Sequence, residues 1–311
     1  MKGSLKILDG GLFTTIQDSG RTGYRKYGIP VSGVMDSHSY KLANWLAGNS
    51  VSAPVLEMTL KGGTCRFLSE AAVGITGADM NAMLNDQPVE INKSINANKG
   101  DELTFGYAKS GCRTYLAIHG SWKIDKVMDS CSTYTTAKFG GMKGRKLQKE
   151  DVLEWEYEPL SKVEKQVPQS LIPYYSSSGN RIRVIAGPEW ERLSKANQER
   201  LLETEFKISP QSNRMGIRLK NQTPFDAEVS GLLSSAVVPG IIQLPAPGSP
   251  IILMQDGQTA GGYPRIAKVI DIDLWRMAQL APHATISFNM IDIEEAKKLS
   301  KYQASLYEVL E

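Results

Sequence analysis

Short apolar runs, each ended by Gly, Pro, Asn or Asp, make up most of the chain. Runs of this length between turn-forming residues predict β-strands. A helical period is rarer, and it is clearest behind the possible cap Asp36, where Tyr40, Ala43 and Leu46 fall on one face. We therefore predict a mainly β protein with a few peripheral helices. The clearest predicted strands are 72–76, 115–119, 182–185, 251–254 and 286–290, and the predicted helices are 37–47, 189–202 and 294–310.

The longest uncharged apolar stretch, residues 236–254, approaches the length of a membrane span. It carries four prolines, which an ordinary spanning helix would not contain together. The stretch instead predicts two short buried strands, 241–244 and 251–254, joined by a proline-rich turn. The first residues also lack the continuous apolar core of a signal peptide, so we predict a cytoplasmic protein.

The length of 311 residues suggests two domains. Residues 160–180 are rich in serine and mixed charges with little periodicity, which is typical of a linker. The motif P-x-S-x-x-M occurs at 30–35 and again at 210–215, which predicts two related β subdomains. The predicted boundaries are an N-terminal subdomain at 1–160, a linker at 161–180, a C-terminal subdomain at 181–293 and a terminal helix at 294–311.

Charge and cysteine content exclude several classes of function. The formal net charge is +3, from 36 basic and 33 acidic residues, which argues against a general nucleic-acid binder. Three cysteines without a C-x-x-C pair argue against a zinc site and against a disulfide framework, and so favour a reducing compartment. The three histidines, His38, His119 and His283, share no ligand spacing, so we predict no metal site in this chain.

The common catalytic signatures are missing. The sequence has no P-loop, no G-x-G-x-x-G fingerprint and no G-x-S-x-G elbow. Ser32 and Ser212 lie in the duplicated motif, but no histidine base is near either serine in the sequence, so neither is predicted to be a nucleophile. Any chemistry must therefore come from a less familiar arrangement.

Three polar, glycine-rich segments interrupt the strand pattern, at 17–36, 209–219 and 255–265. Glycine lets backbone N–H groups approach an anion, and Arg offers a planar fork to carboxylate or phosphate. The alternative is that these are tight turns held by local salt bridges. Since the chain has three such segments, we favour a ligand site. The predicted catalytic residues are Asp18, Arg21, Asp36 and Arg214.

Each residue type in these segments suits a different contact. Arg21 and Arg214 would bind an anion, while Asp18 and Asp36 would act as acid, base or orienting carboxylate. The glutamines could contact a lactam or a urea-like amide, and Tyr263 could stack on a ring or simply pack. The predicted substrate- or nucleotide-binding residues are Gln17, Gly20, Tyr24, Ser32, Gly33, Gln211, Ser212, Asn213, Gln243, Gln258, Gly261, Gly262 and Tyr263.

These segments resemble the biotin-dependent carboxyltransferase family, also described as the allophanate hydrolase subunit 2 family. The resemblance extends from about residue 5 to about residue 297. The motifs that carry it include Q-D-x-G-R-x-G-Y at 17–24, V-S-G-x-M-D at 31–36, S-N-R-M-G-x-R-L at 212–219 and Q-T-x-G-G-Y-P-R at 258–265.

The resemblance implies a fold of two cyclophilin-like β-barrel subdomains. It also implies a subunit of a heteromeric, ATP-dependent 5-oxoprolinase, a hydrolase that opens 5-oxo-L-proline to L-glutamate. ATP, with Mg²⁺, would be shared with the partner subunits. Those partners would be a PxpB/KipI-type protein (allophanate hydrolase subunit 1) and a PxpA-type subunit. We expect no covalent biotin on this chain, because Lys143 is not in the A-M-K-M context of a biotin-accepting lysine.

Two alternatives remain within the same family. One is a KipA-type regulatory protein that binds a KipI/PxpB-type partner without doing chemistry. The other is the carboxyltransferase component of a biotin-dependent urea or amide carboxylase. These alternatives differ in the partners that they need.

Overall fold

The computed structural model describes residues 1–158, 164–228, 231–246 and 248–310. They form two compact units. Unit 1 comprises the described residues of Met1–Thr22 and Ser32–Tyr175, and unit 2 comprises those of Gly23–Val31 and Ser176–Glu311. The chain thus leaves unit 1 for nine residues near its start and then returns to it.

Unit 1 is built from twelve strands among the described residues, in two sheets. The strand order is β11-β12-β1-β4-β9-β6-β7 in the larger sheet and β2-β3-β10-β5-β8 in the smaller one. The strands are β1 (Lys2–Asp9), β2 (Phe13–Gln17), β3 (Val55–Thr59), β4 (Thr64–Phe67), β5 (Ala71–Asp79), β6 (Met83–Leu84), β7 (Gln87–Pro88), β8 (Ser94–Ala97), β9 (Glu102–Thr104), β10 (Ser110–Ile118), β11 (Ser121–Trp122) and β12 (Val152–Glu156).

The core of unit 1 contains inward side chains of both sheets, among them Leu5, Phe67 and Trp155, all fully buried. Helix α1 (Ser37–Leu46) packs against β5 and β10. The helix lies so close to β5 that a Cβ at Gly74 would come within 2.2 Å of the Ala43 carbonyl oxygen. Only glycine allows this approach. The helix is therefore part of the core, whereas the sequence predicted a peripheral one.

Unit 2 centres on a closed barrel with the strand order β13-β20-β17-β18-β15-β14-β21. The parallel pairing of β13 with β21 closes it, and Phe206 and Phe288 meet inside with ring centroids 5.4 Å apart. The strands of the unit are β13 (Asn180–Ala186), β14 (Phe206–Ile208), β15 (Gly216–Lys220), β16 (Ser235–Ala236), β17 (Ile241–Gln243), β18 (Ile251–Leu253), β19 (Ala260–Gly261), β20 (Arg265–Val269) and β21 (Thr285–Met290). Its helices are α2 (Lys195–Glu203), α3 (Leu274–Ala278) and α4 (Ile293–Tyr307).

The prediction of a mainly β chain is confirmed, and each clearly predicted strand overlaps an observed one, although 115–119 and 251–254 each extend one residue past the observed end. The apolar stretch forms β17 and β18, an antiparallel pair that places Ile242 opposite Ile252. The predicted helix 189–202 is interrupted: a 3-10 helix at Trp190–Arg192 precedes α2. Within the described residues, no helix is long and apolar enough to cross a membrane.

The two copies of the P-x-S-x-x-M motif do not occupy equivalent places. The first leads into α1, because Asp36 caps a helix there. The second leads into strand β15, which starts at Gly216. The motif therefore precedes two different elements, and two related β subdomains stay a prediction.

The predicted linker lies partly in unit 1. Residues 164–175 belong to that unit, and Val167 and Leu171 are buried in it. The remaining residues of the linker that the structure describes, 176–180, belong to unit 2. Residues 159–163, Pro247 in the predicted proline-rich turn and Glu311 in the predicted terminal helix lie outside the described residues.

Candidate functional site

Asp18 follows β2 and is surrounded by hydrogen-bond donors of unit 1. Its carboxylate is buried and accepts four hydrogen bonds, about as many as its two oxygens can take. Asp18 therefore holds a distant loop in place, and its oxygens are already engaged within the chain. The donors are the N–H of Gly20 (2.8 Å), the hydroxyl of Ser130 (2.6 Å), the N–H of Cys131 (2.6 Å) and the hydroxyl of Ser132 (2.5 Å).

Arg21 holds the same loop from the other side. Its side chain is fully buried, and Nη2 donates to the carbonyl of Ser132 at 2.5 Å. Nε lies 3.4 Å from the carbonyl of Val127, and the guanidinium lies over the ring of Phe139 with 4.8 Å to the centroid. A cation over an aromatic face is attracted by the ring quadrupole. The geometry thus fits Arg21 to a positioning role for residues 127–139, although the sequence predicted an anion-binding residue.

Asp36 is the N-cap of α1. Its Oδ1 accepts from the backbone N–H groups of His38 and Ser39, both at 2.9 Å, and its Oδ2 accepts from the Ser39 hydroxyl at 2.6 Å. The capping carboxylate satisfies two of the N–H groups that a helix start leaves open. The helix N-terminus is therefore occupied by this side chain.

Glu57 on β3 is a buried carboxylate that the sequence analysis did not select. Its Oε2 accepts from the N–H of Met35 at 2.7 Å and from the hydroxyl of Tyr115 at 2.8 Å, and Arg113 lies 3.9 Å from Oε1. Burial raises the pKa of Tyr115 well above its usual value, and the charges of Glu57 and Asp36 raise it further. Tyr115 therefore stays protonated and donates. The sequence signal that could have identified Glu57 is a charged residue placed between apolar residues of the same strand.

Ser32 and Gly33 form a tight turn in unit 1. Ser32 has a φ of 55°, and its hydroxyl is buried without a hydrogen-bond partner among the described residues. Gly33 also has a positive φ, and a Cβ there would lie 2.9 Å from the backbone nitrogen of Gly20. Gly20 and Gly33, both predicted as binding residues, therefore allow two backbone segments to approach each other closely.

Gln17 is fully buried at the end of β2. Its Nε2 donates to the hydroxyl oxygen of Thr15 at 3.0 Å and to the carbonyl of Thr133 at 3.2 Å. Within the described residues its Oε1 has no hydrogen-bond partner. Tyr24, predicted with it, lies in unit 2, where its carbonyl accepts from the N–H of Tyr27 at 2.9 Å. The first polar segment is thus divided between the two units.

Arg214 in unit 2 forms a buried ion pair with Asp256. Nε donates to Oδ2 at 2.8 Å and Nη2 donates to Oδ1 at 3.1 Å. The N–H of Asp256 also donates to the carbonyl of Arg214 at 2.9 Å. The structure therefore joins the second and third polar segments, and Arg214 directs its fork to a carboxylate of the chain itself.

The other predicted residues of the second segment shape a turn. Ser212 accepts from the N–H of Arg218 at 3.0 Å, and Asn213 accepts through Oδ1 from the N–H of Met215 at 2.8 Å. Gln211 is exposed, and its backbone N–H lies 3.3 Å from the hydroxyl of Ser209. The side chain of Gln211 thus remains available at the surface.

The structure brings together Gln243 and Gln258, two residues that the sequence analysis predicted to contact an amide. Nε2 of the exposed Gln258 donates to Oε1 of Gln243 at 3.0 Å. Gln243 is 2% exposed, and among the described residues its Nε2 has no hydrogen-bond partner. Gly261 lies beside both amides, and the exposed residues Gly262 and Tyr263 follow it. This pair is the strongest amide-recognising feature of the predicted set.

A cavity of about 740 Å³ lies in unit 1 beside Asn49, His119 and Tyr157. The predicted ligand residues do not line it. His119 is held there by a contact of 3.0 Å between Nδ1 and the carbonyl of Ala47. The cavity is therefore separate from the features that suggested a ligand site.

The comparison with protein families gives a direct result. The carboxyltransferase domain, subdomain A and B, matches residues 27–290. The chain belongs to this carboxyltransferase family. The matched range contains the second and third polar segments and Ser32–Asp36, and Gln17, Asp18 and Arg21 precede it.

Relatives of this carboxyltransferase chain include two groups, which are 5-oxoprolinase C subunits and urea amidolyases. The chain is 38% identical to the 5-oxoprolinase C subunit of Escherichia coli (strain K12) over 306 residues, which cover 98% of this chain and 97% of the relative. It is 35% identical to the 5-oxoprolinase C subunit of Haemophilus influenzae, with 96% and 94% covered. The crystal structure of the K. lactis urea amidolyase superimposes with a TM-score of 0.92 at 31% identity, covering 99% of this chain and 20% of that protein.

Proposed function

We propose that the chain is the C subunit of a heteromeric, ATP-dependent 5-oxoprolinase that opens 5-oxo-L-proline to L-glutamate. The observation that carries the proposal is the match to the 5-oxoprolinase C subunit of E. coli, since it covers 98% of this chain and 97% of that relative. A match over both whole chains supports an equivalent subunit more strongly than a match to one region of a large enzyme.

The side chains support a role within a complex. The four charged residues predicted to be catalytic all bind groups of the chain itself: Asp18 binds the 130–132 loop, Arg21 binds residues 127–139, Asp36 caps α1 and Arg214 binds Asp256. Each of the four is therefore engaged with a group of this chain, and their roles in catalysis or anion binding stay predictions. The chain fits a subunit that binds and positions substrate while its partners share the chemistry.

ATP would activate the lactam, because an amide carbonyl is a poor electrophile until its oxygen is phosphorylated. The described residues contain no group of three or more His, Cys, Asp or Glu side chains arranged to hold a metal ion. We propose that ATP, with Mg²⁺, is shared with the PxpB- and PxpA-type partner subunits, and we assign no ATP step to individual side chains of this chain.

Reconstitution tests the proposal. The partner subunits would be purified separately, mixed with and without this chain, and assayed for 5-oxoproline-dependent formation of glutamate and ADP. We expect glutamate only in the complete mixture. Equal rates with and without the chain would contradict the proposal.

A carboxyltransferase role toward urea or a related amide is the second candidate. It is favoured by the superposition on the K. lactis urea amidolyase, with a TM-score of 0.92 over 99% of this chain. The chain spans one fifth of the length of that protein. Consumption of urea and bicarbonate by the chain mixed with a biotinylated carrier and a biotin carboxylase would favour this function over the first.

A further inference from the structure

A polar cavity of about 380 Å³ lies in unit 2, where helix α2 ends and the chain leaves strand β15. Glu205 precedes β14 and Asn221 follows β15, and because these two strands pair, both residues come to the same end of the pair. The volume falls within the roughly 300–1,000 Å³ of ligand pockets. All the lining side chains are polar or charged, so the cavity suits a polar ligand. They are those of Arg200, Thr204, Glu205, Asn221, Gln222 and Thr223.

Two opposite charges line this cavity without pairing. Within the described residues, Arg200 and Glu205 form no ion pair with each other or with another side chain. Their separation along the chain explains this, because residues three or four positions apart are neighbours on a helix, whereas Glu205 lies five positions after Arg200 and beyond the end of α2. A cation and an anion therefore share one cavity, and both can contact a ligand there.

The Arg200 guanidinium is held in one orientation by its neighbours in unit 2. Both protons of Nη2 are used, since this atom donates to the carbonyl of Pro224 and to Oδ1 of Asn197, each at 2.8 Å. The guanidinium also lies over the buried ring of Phe225, with 4.2 Å from Cζ to the centroid. Nε and Nη1 carry the remaining donors of the group, so a fixed positive charge with hydrogen-bond donors is offered to a carboxylate.

The cavity also has a negative side. Oε1 of Glu205 accepts from the Thr285 hydroxyl at 2.9 Å, and Oε2 has no hydrogen-bond partner among the residues that the structure describes. Thr204, the C-cap of α2, lines the cavity next to Glu205. The C-terminus of a helix carries a partial negative charge from its free carbonyl groups, which favours a cation. A ligand ammonium would therefore be attracted by the carboxylate and by the helix end together.

The two charges select a ligand by repulsion as well as by attraction. Glu205 would repel a simple anion and Arg200 would repel a simple cation, whereas a molecule with both charges suits both residues. A free α-amino acid is such a molecule, because its ammonium and carboxylate are attached to one carbon. We propose that this cavity binds a free α-amino acid with a polar side chain, with Arg200 holding the carboxylate and Glu205 the ammonium. The inference does not depend on the proposed function.

Titration calorimetry of the full chain tests the need for both charges. L-Glutamine would be compared with N-acetyl-L-glutamine, which lacks the ammonium, and with L-glutaminamide, which lacks the carboxylate. We expect L-glutamine to bind and each derivative to bind more weakly by about tenfold or more, because a hydrogen bond between charged groups is lost. L-Leucine should also bind more weakly than L-glutamine, since the lining offers its side chain no apolar contact.

Two variants assign each ligand charge to a residue. Glu205→Gln should weaken the binding of L-glutamine by about tenfold or more and leave N-acetyl-L-glutamine unchanged. This variant can still accept from the Thr285 hydroxyl, so the local fold is retained. Arg200→Gln should weaken L-glutamine by a similar factor and leave L-glutaminamide unchanged. Glu203→Gln is the matched control, because Glu203 is an exposed carboxylate of α2 that does not line the cavity.

Arg200 also binds Pro224 and Asn197, so the far-UV circular dichroism of Arg200→Gln would be measured as well. If that variant fails to fold, Glu205→Gln and the two derivatives decide the result. Equal affinities for L-glutamine and N-acetyl-L-glutamine, or no binding of L-glutamine at millimolar concentration, would overturn the proposal.

Two further outcomes would give the cavity a different ligand. Inorganic phosphate that binds as tightly as L-glutamine would assign the cavity to an anion and overturn the proposal. L-Leucine that binds as tightly as L-glutamine would overturn the assignment of a polar side chain. A reconstituted complex that forms no glutamate contradicts the proposed function alone, because the binding measurements use the chain by itself.

Discussion

Gly261 lies against Gln243 so closely that a Cβ at position 261 would come within 2.6 Å of the Gln243 Nε2 atom. The same Cβ would lie 2.6 Å from Nε2 of Gln258. These distances are shorter than any normal contact, so both amides depend on the absence of a side chain here. The glycine therefore defines the positions of the two amides.

Gly261→Ala should displace the glutamine pair without unfolding unit 2, because Gln258 is an exposed side chain that can move. We expect weaker binding of 5-oxoproline by about two- to tenfold, the range for one neutral hydrogen bond. Titration of the isolated chain measures this. Gly262→Ala is the control, since its Cβ would meet its nearest neighbour, the Ser234 Oγ, at 3.4 Å. Equal binding by both variants would show that the amide positions do not matter.

The buried ion pair between Arg214 and Asp256 predicts a strong dependence of stability on both partners. Arg214→Met should destabilise the chain by about 3–5 kcal/mol, because it leaves Asp256 buried without its partner. The double variant Arg214→Met/Asp256→Leu should recover most of that loss. Urea unfolding followed by circular dichroism measures both. Glu191→Gln, which breaks the exposed pair with Lys195, should change stability by less than about 1 kcal/mol.

Asp36 allows its capping role to be separated from a catalytic one. Asp36→Ala should cost about 1–2 kcal/mol of stability, whereas Asp36→Asn should cost little, because Asn is an equally good N-cap. If Asp36 acts only as the cap, Asp36→Asn should also retain kcat in the reconstituted complex. A variant as stable as wild type with a lost kcat would instead identify Asp36 as an acid or base.

The ion pair of Glu189 predicts how the stability of unit 2 changes as the pH is lowered. Its hydrogen bonds with the Arg265 side chain lower the pKa of the carboxyl below its ordinary value of 4.5. A group whose pKa is lower in the folded state contributes stability above its unfolded pKa, and the contribution is lost as the pH falls through the folded value.

Glu189→Gln should therefore be less stable than wild type by a constant amount at neutral pH, and the difference should shrink below pH 4.5. Urea midpoints between neutral and strongly acidic pH measure it. Glu191→Gln is again the control, because its partner Lys195 is exposed. A difference that stays constant down to low pH would contradict the assignment.

Local patterns predicted the elements well. Apolar alternation identified strands such as β13 and β21, and Asp36 identified the start of α1, because these signals lie within a few residues of each other. Burial of α1 was missed, since it depends on Gly74, a residue of a different element. Nothing in the local sequence indicated that the first polar segment is divided between the two units.

The roles of the charged residues depended on distant partners. Asp18 meets Ser132 across 114 positions and Arg214 meets Asp256 across 42, so no local pattern connects them. The residue types alone therefore suggested free anion-binding groups. Gln243 and Gln258 were both predicted to contact an amide, and the structure adds that they bind each other.

Residues 23–31 belong to unit 2, although the chain on both sides of them belongs to unit 1. During synthesis they must therefore wait for residues of unit 2 that are made much later. Arg25 donates to the carbonyl of Val237, a residue 212 positions later in the chain. At roughly 5–20 residues per second, the ribosome needs on the order of 10–40 s to provide that partner. Until then the segment is a loop held at both ends by unit 1 with nothing to pack against. A fragment that starts at residue 176 would lack this segment altogether, so unit 2 should be expressed with residues 23–31 supplied in trans or grafted onto it.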